Sequence, residues 1–152
     1  MRVVVQRVSK ASVTIDGEVH SSISNGFVVL LGVSESDTQM DADALVRKLV
    51  ALRVFNDEEG KMNLSCGEVG GQYLVISQFT LYASTKKGNR PSFIDAARPD
   101  KAIPLYDYFV ELLRSQSNTT VVTGEFGADM KVSLINDGPV TIIIESADGK
   151  VT

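Results

Sequence analysis

The chain has 152 residues, 43% apolar and 22% charged, with a net charge of −4, a balance that suits one folded domain and excludes a disordered chain. The acidic balance argues against a general nucleic-acid coat, and a single cysteine, Cys66, excludes an intramolecular disulfide and a multi-cysteine zinc site. The longest apolar run, residues 27–33, falls far short of the ~18 residues of a membrane span, so the expectation is a soluble cytoplasmic protein.

In chain order, residues 2–8 and 11–15 read as two strands, the second alternating Ala11, Val13 and Ile15 with Ser12 and Thr14. Asp16-Gly17 and Asn25-Gly26 read as two-residue hairpin turns flanking a strand over 18–23. The run 27–33 is too apolar to face water on either side, so four consecutive strands are expected to open the chain. Residues 37–52 then switch to helical spacing, with Met40, Ala44, Leu45, Leu49 and Leu52 on one face. Acidic residues at its start and basic residues at its end suit the helix dipole. A polar turn around Gly60 spans 56–63, and a strand follows over 72–79.

Residues 84–101 carry five positive side chains, Lys86, Lys87, Arg90, Arg98 and Lys101, against Asp95 and Asp100. This stretch is either a solvated basic loop or a phosphate-contacting patch on an acidic body. A second helix is predicted over 102–116, with Tyr106, Phe109, Val110 and Leu113 at core spacing and Pro99 and Pro104 near its start. Strands over 119–123, 131–137 and 140–145 finish the pattern. The expected class is α+β: curved, largely antiparallel sheets forming a partial β-barrel, with two main helices packed on one side. Residues 1–145 form the expected domain, and the tail 146–152 carries no assigned role.

The usual catalytic constellations are absent. His20 is the only histidine and sits on a hairpin strand, where a solvent-facing side chain is the plainer reading. Cys66 lies in a glycine-rich stretch with no basic neighbour and reads as a structural thiol. No phosphate-binding glycine loop and no metal-ligand spacing is present, so neither a cofactor nor a metal is expected. An enzyme built from this chain works by positioning and main-chain electrostatics.

Two segments fit that style. Where the strand ends at Ser77-Gln78-Phe79-Thr80, backbone N–H groups and two hydroxyls converge, able to hold a carbonyl and the oxyanion formed when it is attacked. The segment reads equally as a strand end with Phe79 in the core. Thr80 as a nucleophile needs an adjacent base, and none is visible. The second segment is Asn136-Asp137-Gly138-Pro139-Val140-Thr141. Locally it is a tight turn between two strands, but proline supplies no ladder N–H, and an Xaa-Pro bond is where a cis peptide costs least.

With these segments in view, the chain resembles the D-aminoacyl-tRNA deacylases, small dimeric editing enzymes. The resemblance rests on Gln6-Arg7-Val8, Ala11-Ser12-Val13, Leu30-Leu31-Gly32-Val33, Gly60-Lys61-Met62-Asn63-Leu64 and the segment from Ser77 to Leu81. It continues through Arg90-Pro91-Ser92-Phe93, the run from Leu105 to Val110, Ala128-Asp129-Met130 and the segment from Asn136 to Thr141, in order along nearly the whole chain.

The resemblance implies hydrolysis of the ester of D-aminoacyl-tRNA in a homodimer whose sites lie at the subunit interface, with no DNA or membrane partner. It implies that Ser77, Gln78 and Phe79 hold the aminoacyl group while Thr80 supports them. Gly138-Pro139 is then a cis step reaching into the partner's site to exclude L-residues by collision, and the terminal 2′-hydroxyl of the tRNA assists the attack. Asn136 belongs to the substrate-binding set. Phe126 and Met130 either enclose the adenine or pack in the core, and Lys86, Lys87 and Arg90 are candidates for acceptor-stem phosphates. Three rival readings remain: a Thr80-centred esterase independent of RNA; a module that binds charged tRNA without turnover, since the fold also resembles the editing domain of some archaeal threonyl-tRNA synthetases; and a small dimeric β-rich domain with no small-molecule site.

Overall fold

One long strand organises the molecule. In the computed structural model, which describes residues 1–152, β1 spans Arg2–Ile15, so the two strands predicted over 2–8 and 11–15 are continuous. Their alternation nevertheless changes phase. Val3 and Val5 face one core, whereas Ala11 and Val13 face the other. The switch falls where pairing with the last long strand slips between Val8 and Lys10. A one-residue slip moves every later side chain to the opposite face, and this bulge does so.

β2 (Glu18–Ile23) pairs with the second half of β1, and β3 (Gly26–Gly32) pairs with the first half. The two therefore lie end to end along β1. Asp16-Gly17 is a tight turn with positive φ at both residues, but Asn25-Gly26 is not a hairpin. It is a step past the neighbouring strand, so close that a Cβ on Gly26 would stand 1.9 Å from the Gln72 carbonyl oxygen.

Helix α1 (Gln39–Val50) starts in a capping box between Thr38 and Asp41 and buries Leu45 and Leu49. Met40, expected on its core face, is exposed and packs beside Gly149 instead. β4 (Arg53–Asn56) and β5 (Met62–Ser65) form a separate two-stranded ribbon around the turn at Gly60. β6 (Gln72–Ser77) runs parallel to β3, and β7 (Val121–Thr123) runs parallel to β6. Parallel neighbours require a long crossover, and α2 (Pro99–Ser117) lies within the one joining β6 to β7.

β8 (Lys131–Ala147) pairs along β1 and turns back into β9 (Lys150–Val151). The strand order β7-β6-β3-β1-β8-β9, with β2 also on β1, gives a mixed, largely antiparallel sheet that curls into a half-barrel. Both helices pack on one face through Leu45, Leu49, Leu105, Phe109 and Leu113, in a cluster of 26 buried residues. The other face holds a smaller cluster of seven, including Val8, Val28, Leu74 and Ile76.

The two ends of the chain meet at α1. The Met1 ammonium is buried 2.5 Å from an Asp37 oxygen and donates to the Ser146 carbonyl at 2.7 Å. Asp41 accepts the Thr38 amide at 2.9 Å and the Gly149 amide at 3.0 Å. Burial opposes its charge, but these donors hold its carboxyl below the usual range. No helix is long and apolar enough to cross a membrane.

Candidate active site

β3 and β6 are parallel, so their carboxyl ends stop together, and a crevice opens where parallel strands end. The crevice is a cavity of about 550 Å3. Leu31, Ile76 and Ser77 form its floor, Ala102 and Tyr106 of α2 one wall, and the loop from Phe126 to Met130 the other. Its size falls within the range of small-molecule sites, and its walls are mainly apolar. A larger hollow of about 710 Å3 lies over the β4–β5 turn, but a single hairpin lines it, with Asp57, Glu58 and Glu59 prominent. Nothing there joins apolar enclosure to convergent donors.

At the cavity floor the chain leaves the sheet. The Gln78 amide makes a last bond to the Leu31 carbonyl at 2.8 Å, and Phe79–Tyr82 then form a single 3-10 turn. The first amides of such a turn have no acceptor within it, so this strand exit supplies main-chain donors beside the cavity. Ser77, Gln78 and Phe79 line the cavity, as do Phe126 and Met130. Phe79 is 56% exposed and packs edge-on against Phe93 at 5.1 Å, so it is not a core residue.

Thr80 lies off the cavity wall, and its hydroxyl accepts a short hydrogen bond from the Gln78 side-chain amide. Phe126 stands edge-on to Tyr106 at 5.9 Å, and the Tyr106 hydroxyl donates to the Val75 carbonyl at 3.0 Å. Met130 reaches over Gly124, where a Cβ would lie 2.3 Å from its sulfur. The glycine thus makes room for the cavity wall.

The segment from Asn136 to Thr141 is not a turn between two strands, as its local chemistry suggested. It is a wide bulge inside β8. Gln6 faces Thr141 and Val8 faces Asn136, which leaves residues 137–140 opposite Arg7 alone. The Asn136 side chain closes the base: its Oδ1 accepts the Val140 amide at 2.7 Å, and its Nδ2 donates to the Val140 carbonyl at 3.2 Å. At the tip the Gly138-Pro139 bond is cis and Gly138 has φ +143°. Both tip residues are exposed and neither lines the cavity of their own chain.

Arg7, quoted above only for resemblance, braces this bulge from beneath. It is 6% exposed. Its Nε donates to the Asp137 carbonyl at 2.8 Å, and its Nη1 donates to the Val54 carbonyl at 2.5 Å. The available signal was an arginine at the inward phase of Val3 and Val5 in an apolar strand.

Lys86, Lys87 and Arg90 lie exposed on a loop pinned by the Ser84–Ser92 bridge, and none forms an ion pair. His20 is exposed on β2. Burial pushes the Cys66 thiol up to about 12, so almost no thiolate exists at neutral pH. The cavity therefore joins main-chain donors, apolar walls and no base-activated side-chain nucleophile.

An α+β half-barrel with such a cavity can hold a small group against main-chain donors, and likeness to known proteins gives its class as a hydrolase. The model of the D-Tyr-tRNA(Tyr) deacylase family matches residues 4–145, and the chain belongs to that family. Among its relatives, proteins named D-aminoacyl-tRNA deacylase from Phocaeicola vulgatus and Cytophaga hutchinsonii are 62% and 58% identical. Each match covers 96% of this chain and 97% of the relative. A solved structure described as "c-Myc DNA Unwinding Element Binding Protein" superposes with a TM-score of 0.91 at 45% identity, covering 97% of this chain and 99% of that one. Another, described as "a probable eukaryotic D-amino acid tRNA deacylase", gives a TM-score of 0.81 at 18% identity over 93% of this chain and 97% of that one, a likeness of fold.

Proposed function

We propose that this enzyme hydrolyses the ester bond of D-aminoacyl-tRNA in the cytoplasm, releasing free tRNA and the D-amino acid. The carrying observation is that Ser77, Gln78 and Phe79 share one cavity with Phe126 and Met130. The first three supply donors for an ester, and the last two supply apolar walls for the terminal adenine. Water attacks the ester carbon, the 2′-hydroxyl of the terminal ribose assists, and amides at the strand exit hold the oxyanion. The bond to the 3′-oxygen then breaks, and that oxygen leaves protonated. An aminoacyl ester is activated enough that orientation carries much of the rate.

Selectivity is assigned to the bulge. A D-residue presents hydrogen where an L-residue carries its side chain, so a rigid carbonyl there rejects L-substrates by collision. Gly138 and Pro139 are exposed and outside their own cavity, which supports their acting on the site of a second copy. Two further features favour a homodimer. β8 is the outer strand along β1, and Val132, Ile135 and Ile143 on it are exposed. Asn136 shapes the bulge, and Lys86, Lys87 and Arg90 meet acceptor-stem phosphates, so tRNA affinity falls with salt. DNA binding, the property in one neighbour's description, gains no support from a net charge of −4. Residues 1–145 carry this activity; the tail secures α1 through Gly149 and Asp41.

Parallel deacylation of D-tyrosyl-, L-tyrosyl- and glycyl-tRNA at catalytic enzyme concentration tests the reading. The D-ester is expected to be lost rapidly and the L-ester spared. Glycyl-tRNA, including tRNA(Ala) mischarged with glycine, is hydrolysed because glycine has no side chain to reject. Equal loss of D- and L-esters indicates a non-discriminating esterase, and no turnover of any indicates a binding module. A D-ester on 2′-deoxyadenosine-terminated tRNA is expected to be stable; its rapid loss removes the 2′-hydroxyl from the mechanism.

Thr80 has a glutamine amide and no base beside its hydroxyl. Thr80→Ala is therefore expected to keep kcat within about tenfold, since one neutral hydrogen bond contributes about 0.5–1.5 kcal/mol. Loss of all turnover in a folded variant restores the threonine nucleophile.

A further inference from the structure

We propose that Arg98 holds the phosphodiester that joins the terminal nucleoside to the rest of the tRNA. This deepens the deacylase reading and rests on it. Arg98 is the one cation lining the cavity. The one carboxylate there, Asp129, is paired with Lys131 at 2.9 Å and does not neutralise it. No hydrogen bond or ion pair engages the Arg98 guanidinium. Arg2, Arg7 and Arg114 are tied to Glu145, Asp137 and Glu111, and Arg53 is bonded to Asn63.

The backbone of Arg98 is held in place although its guanidinium is free. Its amide donates to Glu35 Oε1 at 2.8 Å, and its carbonyl accepts the Lys101 and Ala102 amides at 3.0 and 2.8 Å. Pro99 follows as the first residue of α2, and Ala97 bonds to the Val33 carbonyl at 2.9 Å. A planar five-donor head carried on an anchored backbone suits an oxyanion with two accessible oxygens.

The substrate supplies one such group. At neutral pH the adenine and ribose are uncharged, and the aminoacyl ammonium is positive and repelled by a guanidinium. The remaining charge next to the terminal nucleoside is its 5′-phosphate. With the ester at Ser77–Phe79 and the adenine by Phe126 and Met130, the unpaired cation serves the third corner of the nucleotide.

The test compares two small substrates with D-tyrosyl-tRNA: the D-tyrosyl ester of adenosine and the same ester of adenosine 5′-monophosphate. For the unaltered protein, KM for the 5′-phosphorylated ester is expected to be at least about tenfold lower, the range of a charge-assisted bidentate contact. In Arg98→Gln that ratio falls below about threefold, and Arg98→Lys restores part of it. With D-tyrosyl-tRNA, Arg98→Gln raises KM about tenfold, leaves kcat within about threefold and flattens the log KM against log salt slope by about 0.7. Equal KM for the two esters in the unaltered protein overturns the proposal. So does an Arg98→Gln defect that falls on kcat, or equally on both esters. If the unaltered protein hydrolyses none of the three, the deacylase reading fails and this proposal fails with it; if D-tyrosyl-tRNA alone is hydrolysed, the KM and salt slope decide.

Discussion

Gly138→Ala is expected to lower kcat/KM for D-tyrosyl-tRNA by at least about 100-fold and to erode discrimination against L-tyrosyl-tRNA, while the fold survives. At φ +143° a residue with a Cβ is strained. That Cβ would lie 2.7 Å from Val140 Cγ2, 2.9 Å from the Val140 amide nitrogen and 3.2 Å from Arg7 Nη2. Two of these contacts are too short to keep, so the tip must shift. Gly138 and Pro139 lie outside the core of their own chain, so the tip shifts without opening that core. The stability cost is therefore modest, about 1 kcal/mol or roughly 2–4 °C in Tm for a chain of this size. A displacement of about 1 Å in a positioning group can cost about 100-fold in rate. Thermal melting together with paired D- and L-deacylation checks both halves. Gly17→Ala is the control: its φ is also positive, at +81°, but no atom lies within 4 Å of the added Cβ. It should lower Tm and leave the D/L ratio unchanged. Unaltered D-activity and selectivity in Gly138→Ala would remove the bulge from the mechanism.

Local patterning carried the sheet as far as local patterning can. Alternation in β1, the apolar run of β3 and the 3.6-residue spacing of α1 each report which face is buried. The global class, two helices on one side of a curled, largely antiparallel sheet, follows from those pieces. What stayed hidden depends on partners far away in sequence. That β2 and β3 share β1 end to end is decided by pairing of Ala11 with Ile23 and Val8 with Gly26, not by the residues at Asn25-Gly26.

The same holds at Asn136-Asp137-Gly138-Pro139. Turn chemistry is identical whether the chain reverses or bulges, and the opposing register at Gln6 and Val8 makes it a bulge. Met40 has helical core spacing but falls on α1's first turn, beside the C-terminal hairpin at Gly149. In the site, Ser77–Phe79 could be singled out because leaving a strand has a chemical consequence. Their meeting with Phe126 and Met130 needed the parallel β6–β7 pair, which brings the next loop to the same strand ends. The inward phase of Arg7 on an apolar strand was legible, but that Arg7 bonds the Asp137 and Val54 carbonyls while the Arg98 guanidinium has no acceptor shows only in the fold.

Arg7→Ala is expected to lower both stability and stereoselectivity, unlike Gly138→Ala, which acts chiefly on the second. The guanidinium is buried under the bulge and satisfies the Asp137 and Val54 carbonyls, with Asn56 Oδ1 at 3.5 Å and the Asp137 carboxylate at 3.8 Å. The Asp137 carboxylate is 56% exposed and adds little. The stability term comes from the stranded carbonyls and the space left behind, about 2–4 kcal/mol in total. For a domain of this length that is roughly 5–15 °C in Tm. The selectivity term has a separate origin. Nε of Arg7 fixes the Asp137 carbonyl, one residue before Gly138, so its loss frees the tip even where the fold persists. Deacylation measured well below the lowered Tm is therefore expected to show a D/L ratio at least about tenfold worse. Arg7→Lys retains charge without the fork, reaches one acceptor at a time and falls between the two. Because Arg7 and Gly138 act on one segment, the double variant should lose less activity than the two single losses combined. Full additivity, or an Arg7→Ala protein with unchanged Tm and selectivity, would mean that the bulge is held by Asn136 alone.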